Sequence, residues 1–384
     1  MPSLPLINED LDLPGTHALV IGISEYPHIS GGKDPTPDGI SFNLGQLTSA
    51  ARSASEFAGW LLKEYCNPGL PLKSLRVLLS PSAGENIHPA ILAKLPANHS
   101  ATRQNVTQEL VGFRTACNTH KENVAFVYIA GHGVQLTKHG SVVLLNDFAQ
   151  TGQLNKLHGA IDMARVHAGM NHPDTAQTQF WFIDACRQKP EVARKFETMA
   201  GALVIDEPVG VAQTSPMFLS ATTGKSAYGK PGGCSLFCEA LMWSLRDAGA
   251  AEGPGTGCMK WHVPVTRLIR RLPEKVSQLA ASHNASQPVD IAGKINEAVV
   301  HIYSNPPKVD LCISLIPKKA QSASTATLIF NGQIPVISNS STWPIINKVD
   351  AGLYLLSVKT TSPYSGNTNI HNVTPPEYQT QVKV

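Results

Sequence analysis

The segment Val124-Ala-Phe-Val-Tyr-Ile-Ala-Gly-His132-Gly133 and the later segment Thr178-Gln-Phe-Trp-Phe-Ile-Asp184-Ala-Cys186-Arg187 decide how this chain folds. Each is an apolar run of strand length that ends beside one reactive side chain, an imidazole in the first and a thiol in the second. When two buried strands run parallel, their carboxyl ends meet at one edge of the sheet. We therefore expect His132 and Cys186 to meet there, as a cysteine nucleophile and its base require.

Strands and helices alternate on either side of these two segments. Apolar runs predict further strands at 17–24, 74–80 and 217–221, and a hairpin carrying Val142 to Leu145. Apolar residues at helical spacing predict helices from Leu47 to Tyr65, from an N-cap at Thr102 to Cys117, from Phe237 to Leu245, and over 264–281, where Pro273 is placed to split the helix. This alternation predicts an α/β fold, a mostly parallel sheet with helices on both faces.

The pattern changes after the stretch Ser304-Asn-Pro-Pro-Lys308, which is typical of a linker. Apolar residues then recur at every second position, and Asn331-Gly332 and Ala351-Gly352 mark turns between these runs. The alternation predicts a small all-β domain, an Ig-like sandwich. We divide the chain into an N-terminal extension at 1–16, a catalytic domain at 17–303 and a β domain at 304–384.

Composition argues against several classes of partner. The chain has 384 residues, a net charge of +3 and no basic block, so we expect no nucleic-acid partner. Its apolar runs are far shorter than the ~20 residues that cross a bilayer, so we expect no membrane partner. Residues 1–12 are polar and acidic without the apolar core of a signal peptide, and seven cysteines form no disulfide pattern. We expect a cytoplasmic protein.

The thiol and imidazole suit covalent catalysis. A thiol with a pKa near 8.5 is only a few per cent thiolate at neutral pH. An imidazole beside it raises that fraction or takes the proton during attack, and later returns it to a leaving amine. Cys186 would be the nucleophile, His132 the base and then the acid, and the N–H groups of Gly133 and Cys186 the oxyanion donors. The alternative is a buried structural cysteine and an unrelated histidine.

The two segments resemble caspase-like cysteine peptidases, including metacaspases and bacterial caspase homologues. The caspase signature is Gln-Ala-Cys-Arg-Gly with a histidine about 50 residues upstream. This chain keeps Ala185, Cys186 and Arg187 and has Asp184 and Gln188 at the flanks. The resemblance covers roughly residues 14–303. It implies peptide-bond hydrolysis of a protein substrate without a cofactor, and it implies nothing for the C-terminal domain.

Cleavage preference depends on Asp184. The resemblance to metacaspases implies that an acid two positions before the cysteine binds a basic side chain of the substrate, and a buried carboxylate suits a cation. A second pocket acid is missing from residues 48–54. Arg52 and Arg187 would instead suit an acidic substrate, as in animal caspases. We favour cleavage after Arg or Lys and keep cleavage after Asp as the alternative.

Regulation and cofactors are the remaining expectations. The resemblance implies that the segment 188–215 is cut during maturation, with Arg194 and Lys195 as processing sites; an uncut surface loop is the alternative.

Cys234 and Cys238 lie four residues apart without a further pair at zinc spacing, so we expect no metal site, with calcium dependence left open. The β domain is expected to bind a regulatory protein. Family context points to regulated proteolysis or antiviral defence, and the competing reading is a catalytically silent scaffold.

Overall fold

The computed structural model describes residues 5–9, 11–36, 41–136, 140–187, 201–205, 213–230, 232–247, 249–253, 260–333 and 335–384. Contacts divide the chain into two compact units. The first contains Met1–Leu241 and Leu272–Ala298, and the second contains Met242–Arg271 and Val299–Val384. The domain boundaries proposed from the sequence, at 16 and 303, stay a prediction.

The first unit is built on a seven-stranded sheet with the order β1-β3-β2-β4-β8-β9-β11. Its elements are, in chain order, β1 (Ile7–Asn8), β2 (Thr16–Ile23), α1 (Ala50–Lys63), β3 (Leu72–Ser80), α2 (Pro89–Leu92), α3 (Arg103–Cys117), β4 (Val124–Gly131), β5 (Gly133–Gln135), β6 (Ser141–Leu144), β7 (Ala160–Asp162), α4 (Met163–Met170), β8 (Thr178–Ala185) and β9 (Ser215–Leu219). The chain continues through α5 (Leu236–Arg246), which runs into the second unit, β10 (His262–Pro264) of the second unit, α6 (Val265–Ser282), which returns to the first unit, and β11 (Asp290–Lys294) of the first unit. The five central strands pair in parallel, whereas β1 and β11 are antiparallel edges. The predicted mostly parallel sheet is confirmed.

Helix α1 covers one face of the sheet through an aromatic cluster. The ring of Phe57 stacks on Tyr128 with centroids 5.0 Å apart and lies 5.6 Å from that of Phe182. Gly22 of β2 lets the helix approach closely, because a Cβ there would lie 2.8 Å from the Cα of Ala51. Each fully buried aromatic side chain contributes roughly 1.5–3 kcal/mol to folding. Since side chains alternate along a strand, Asp184 shares the α1 side of β8 with Phe182.

The opposite face holds a second hydrophobic core, with α3 and α4. Val106, Leu110 and Phe113 of α3 are buried in one cluster with the β-strand residues Ile21 and Ile129. The N-terminus of α3 is capped as predicted, since the Thr102 hydroxyl accepts the N–H of Asn105 at 3.3 Å. The predicted hairpin is also present, as β6 pairs with both β5 and β7.

The sequence predicts that Pro273 splits the helix over 264–281, and this prediction was wrong. Helix α6 runs without interruption over Val265–Ser282 with Pro273 inside it. Its strong amphipathic pattern explains why, because Leu268, Leu272 and Val276 are all fully buried along one side. That burial outweighs the roughly 3 kcal/mol that an internal proline costs.

The second unit carries the small all-β region predicted from the sequence. After β12 (Val299–Ile302), which pairs with β10, come β13 (Lys308–Ile316), β14 (Ser324–Phe330), β15 (Pro335–Ser340), β16 (Ile345–Asp350), β17 (Gly352–Thr360), β18 (Asn367–Val373) and β19 (Glu377–Lys383). They form sheets of three and four strands, with the orders β16-β13-β19 and β15-β14-β17-β18. Alternate residues of both sheets share one core, as a sandwich requires. Asn331 and Gly332 form the predicted turn, with φ of 48° and 69°.

Candidate active site

Strands β4 and β8 bring the histidine and the cysteine to one edge of the sheet. The strands are parallel neighbours, and their register ends on the pair Gly131 and Ala185. His132 and Cys186 are the next residues of each strand, and neighbouring strands lie about 4.8 Å apart. The predicted adjacency of the two segments is therefore present in the structure.

Glycine is required at positions 131 and 133 because a Cβ would not fit there, and not because the backbone adopts a conformation that only glycine favours. A Cβ on Gly131 would lie 2.8 Å from the hydroxyl of Tyr26. A Cβ on Gly133 would lie 2.9 Å from the Cβ of Ala185 and would collide with the carbonyl oxygen of Cys186. Neither glycine is among those with a positive φ. Gly131 thus leaves room for the Tyr26 hydroxyl, and Gly133 lets the segment that follows β4 pack against the end of β8.

Two groups outside the sheet edge hold His132, one through its imidazole and one through its backbone N–H. Its Nε2 lies 2.6 Å from the carbonyl oxygen of Gly45, just before α1. A carbonyl only accepts hydrogen bonds, so Nε2 carries the proton and Nδ1 has the lone pair. The buried Tyr26 hydroxyl accepts the backbone N–H of His132 at 2.8 Å and donates to the carbonyl of Leu144 at 3.3 Å. These bonds orient a histidine that could act as a base through Nδ1.

Burial keeps both reactive groups neutral. It lowers the pKa of His132 despite the bond to Gly45, and it raises the pKa of Cys186. The sulfur of Cys186 accepts the N–H of Ala227 at 3.1 Å and lies 3.6 Å from the carbonyl oxygen of the same residue. No hydrogen bond among the described residues joins the thiol to His132. In this conformation, the thiol lies against the backbone of Ala227.

Asp184 is a buried acid of β8, two residues before Cys186 in the chain. Its Oδ2 accepts hydrogen bonds from the hydroxyl of Tyr128 at 2.9 Å and from the hydroxyl of Ser235. Burial raises the pKa of Asp184 to about 6 against the opposing effect of its hydroxyl partners. No cationic side chain of the described residues forms an ion pair with it. An uncompensated carboxylate thus lies two residues from the thiol.

The two arginines named from the sequence already have partners. Arg187 forms an ion pair with Asp290, with 2.8 Å between its guanidinium nitrogen and Oδ2. Arg52 donates to the carbonyl oxygen of Gly232 at 2.5 Å. An acidic substrate side chain would have to compete with these interactions.

A cavity of about 220 Å³ lies on the other face of β8. Gly133, Ala185, Cys186 and Arg187 border it, and its remaining wall is mostly apolar. Asp184 does not line this cavity. The face with the acid and the face with the cavity are therefore separated by the strand that carries the cysteine.

The predicted processing sites, Arg194 and Lys195, lie outside the described residues. Within the part of the chain that the structure describes, no cluster of three or more His, Cys, Asp and Glu side chains is arranged to hold a metal ion. The helices of that part include none with the length and hydrophobicity that a membrane span needs.

The sequence did not reveal Gly45, Tyr26 or Ala227. Gly45 and Ala227 act through backbone atoms, which leave no trace in residue type. Tyr26 follows the predicted strand at 17–24, and a tyrosine so close to the end of a buried strand is the sequence signal that could have singled it out, because a buried tyrosine hydroxyl needs a hydrogen-bond partner.

Comparison with known proteins places the site in context. The family model described as the caspase domain matches residues 16–292. A protein of Sinorhizobium fredii (strain NBRC 101917 / NGR234), described as uncharacterized protein y4kE, is 22% identical over 314 residues, which cover 80% of this chain and 88% of that protein. The crystal structure of caspase-1 from Spodoptera frugiperda matches with a TM-score of 0.43 and 13% identity, covering 75% of this chain and 88% of that one.

Proposed function

Because the chain belongs to the caspase-domain family, we propose that it is a cysteine endopeptidase in which Cys186 is the nucleophile and His132 moves the proton. The observation that carries this proposal is the register of β4 and β8, which ends one residue before each of these side chains. The bond from Nε2 to Gly45 supports it, since it leaves Nδ1 as the basic nitrogen.

The protonation states favour general-base catalysis over a preformed thiolate. Burial raises the pKa of Cys186, so the thiol keeps its proton until attack. In the proposed reaction, the thiol turns from Ala227, His132 takes its proton, and the sulfur bonds to the substrate carbonyl carbon. The imidazolium then protonates the leaving amine, and water hydrolyses the thioester. The N–H groups of Gly133 and Cys186 are the proposed donors to the oxyanion.

Asp184 is the proposed acceptor of a basic substrate side chain. A buried carboxylate without a cation gains most from a guanidinium, which donates two parallel hydrogen bonds. Arg52 already donates to the carbonyl of Gly232, and Arg187 already forms an ion pair with Asp290. Because both arginines have partners, cleavage after Asp is the weaker alternative. We therefore keep the preference for Arg or Lys before the scissile bond.

A panel of fluorogenic peptides that differ only in the residue before the scissile bond tests this function. The reduced full-length chain should hydrolyse the Arg and Lys peptides, and Cys186→Ala should hydrolyse none. Hydrolysis that persists in Cys186→Ala would refute the thiol mechanism. Faster cleavage after Asp than after Arg would refute the role of Asp184 and leave the chemistry standing.

Maturation by cleavage at Arg194 or Lys195 belongs to the same proposal. The cut would lie between the cysteine strand β8 and β9, so that the ends of both strands could adjust around a substrate. Mass spectrometry of the active protein should find a new terminus between residues 188 and 215. An active chain that stays intact there would exclude this step.

The proposal extends to the setting in which the enzyme acts. A cytoplasmic location and a role in regulated proteolysis or antiviral defence come from sequence and family context. Binding of a regulatory protein is assigned to the all-β region at 304–384. Activity of the full chain with the exposed Ile346 and Ile370 of that region changed to serine, compared with the wild type, would show whether its surface restrains or supports the enzyme.

A further inference from the structure

The cavity beside β8 has the size and the wall of a site for one apolar side chain. Its volume is about 220 Å³, and a dry cavity of ~150 Å³ in a protein core already holds a benzene ring. The apolar part of the wall comes mainly from Val142, Met163, Ile183, Met217 and Leu219. A leucine or phenylalanine side chain would bury its carbon surface there.

The charged and titratable side chains of the wall already have partners. Arg187 is paired with Asp290 at 2.8 Å. Nε2 of His167 donates to the carbonyl oxygen of Ser215 at 3.1 Å and to its hydroxyl at 2.5 Å. Burial lowers the pKa of His167, so its ring is neutral at pH 7. Ser141 adds one hydroxyl to the wall. A charged side chain would lose its hydration here without gaining an unpaired opposite charge from these residues, so the cavity favours an apolar one.

The cavity lies beside the groups that are proposed to cut the peptide. Cys186, the proposed nucleophile, borders it, and so does Gly133, the residue after His132. In the proposed reaction, His132 protonates the leaving amine, and that amine belongs to the residue after the scissile bond. This residue is therefore the part of a substrate that lies nearest to the cavity.

The directions of substrate side chains lead to the same residue. Asp184, the proposed acceptor for the residue before the scissile bond, lies on the α1 side of β8. Ile183 and Ala185, which alternate with Asp184 along the strand, border the cavity. Neighbouring side chains of an extended peptide point to opposite sides. A substrate that directs its basic side chain to Asp184 would direct the next side chain to the face that holds the cavity.

We propose that this cavity binds an apolar side chain, of the size of leucine or phenylalanine, from the residue that follows the scissile bond. The inference rests on the proposed function and extends it, since the enzyme would select two consecutive residues, one on each face of β8. A peptide with leucine after the bond should have a kcat/KM about tenfold or more above that of its glycine counterpart, because even one methylene in an apolar pocket can change kcat/KM by about tenfold.

Internally quenched peptides that differ only in the residue after a fixed arginine test the selection. Leucine and phenylalanine should be cleaved fastest, and glycine, lysine and aspartate more slowly. Ala164 is an exposed residue of α4 that borders the cavity. Ala164→Leu puts a larger side chain at the rim and should remove most of the leucine advantage while the glycine peptide is cleaved as before. Ala281→Leu is the matched control, an exposed alanine of α6 away from the cavity.

Two kinetic results would overturn the proposal. One is equal kcat/KM for the glycine and leucine peptides in the wild type, or a leucine advantage that Ala164→Leu keeps in full. The other comes from a second peptide series that varies the residue before the arginine. If Ala164→Leu changes the preference at that position and not at the position after the bond, the cavity holds the wrong residue for this account.

A binding experiment separates this proposal from the proposed function. Cys186→Ala protein is titrated into the fluorescein-labelled arginyl-leucine and arginyl-glycine peptides, and fluorescence anisotropy gives their Kd values. The leucine peptide should bind about tenfold more tightly, and addition of Ala164→Leu should remove the difference. Equal Kd values for the two peptides would overturn the proposal. If the wild type cleaves no peptide while Cys186→Ala keeps the difference in Kd, the peptidase function is refuted and the cavity site stands.

Discussion

Substitution of Gly133 by alanine tests how closely the two strand ends must meet. The new Cβ would lie 2.9 Å from the Cβ of Ala185 and nearer still to the carbonyl oxygen of Cys186. Carbon atoms in contact prefer about 3.5–4.0 Å, so the two segments must part by roughly 1 Å. The segment that carries His132 then moves away from the end of β8.

A shift of that size has separate effects on stability and on catalysis. Overpacking of a well-packed site costs about 1–3 kcal/mol of unfolding free energy. Misplacement of a catalytic group by about 1 Å lowers the rate by about 100-fold. We expect Gly133→Ala to unfold at lower denaturant concentration and to cleave an arginyl peptide about 100-fold more slowly, or worse.

Gly45→Ala is the matched control. A Cβ on Gly45 meets nothing within 4 Å, and the backbone carbonyl that accepts Nε2 of His132 stays in place. This variant should keep wild-type stability within about 0.5 kcal/mol and full peptidase activity. If folded Gly133→Ala, verified by circular dichroism, cleaves peptide as fast as Gly45→Ala, the close approach of the two strands has no part in catalysis.

Two other substitutions test the acid and the tyrosine. Burial raises the pKa of Asp184 from 3.8 to about 6, and only the carboxylate attracts a cation, so kcat/KM for an arginyl peptide should fall as the pH drops below about 6. Asp184→Asn should remove both this fall of kcat/KM at low pH and the preference for Arg. If kcat/KM of the variant still falls below about pH 6, another group is responsible for the titration. Tyr26→Phe leaves the N–H of His132 buried without its partner and should cost about 1–3 kcal/mol of unfolding free energy. The exposed Tyr228→Phe is its control in the same denaturant titration, and equal stability of the two variants would contradict the role of the Tyr26 hydroxyl.

The central strands could be predicted from sequence because their information is local. Runs such as 124–131 are apolar at every position, and a fully buried parallel strand has this composition. The meeting of His132 and Cys186 followed from one topological rule, that parallel strands end at the same edge.

The rest of the site depends on contacts between distant parts of the chain. The carbonyl of Gly45 reaches His132 across a long sequence separation, and any residue type supplies a carbonyl. Burial in the folded chain raises the pKa of Asp184, and the hydroxyl groups of Ser235 and Tyr128, which oppose that rise, also meet it only after folding. Pro273 was misread because a local rule for helices neglected the burial of α6.

The labelling rate of Cys186 by an arginyl chloromethyl ketone, in the wild type and in His132→Ala, tests the pairing of thiol and imidazole most directly. We expect labelling of the wild type at Cys186 alone, and a rate at neutral pH lower by about 10²–10⁴-fold when the base is absent. Equal rates in the two proteins, both folded, would contradict the account, because the thiol would then react without help from His132.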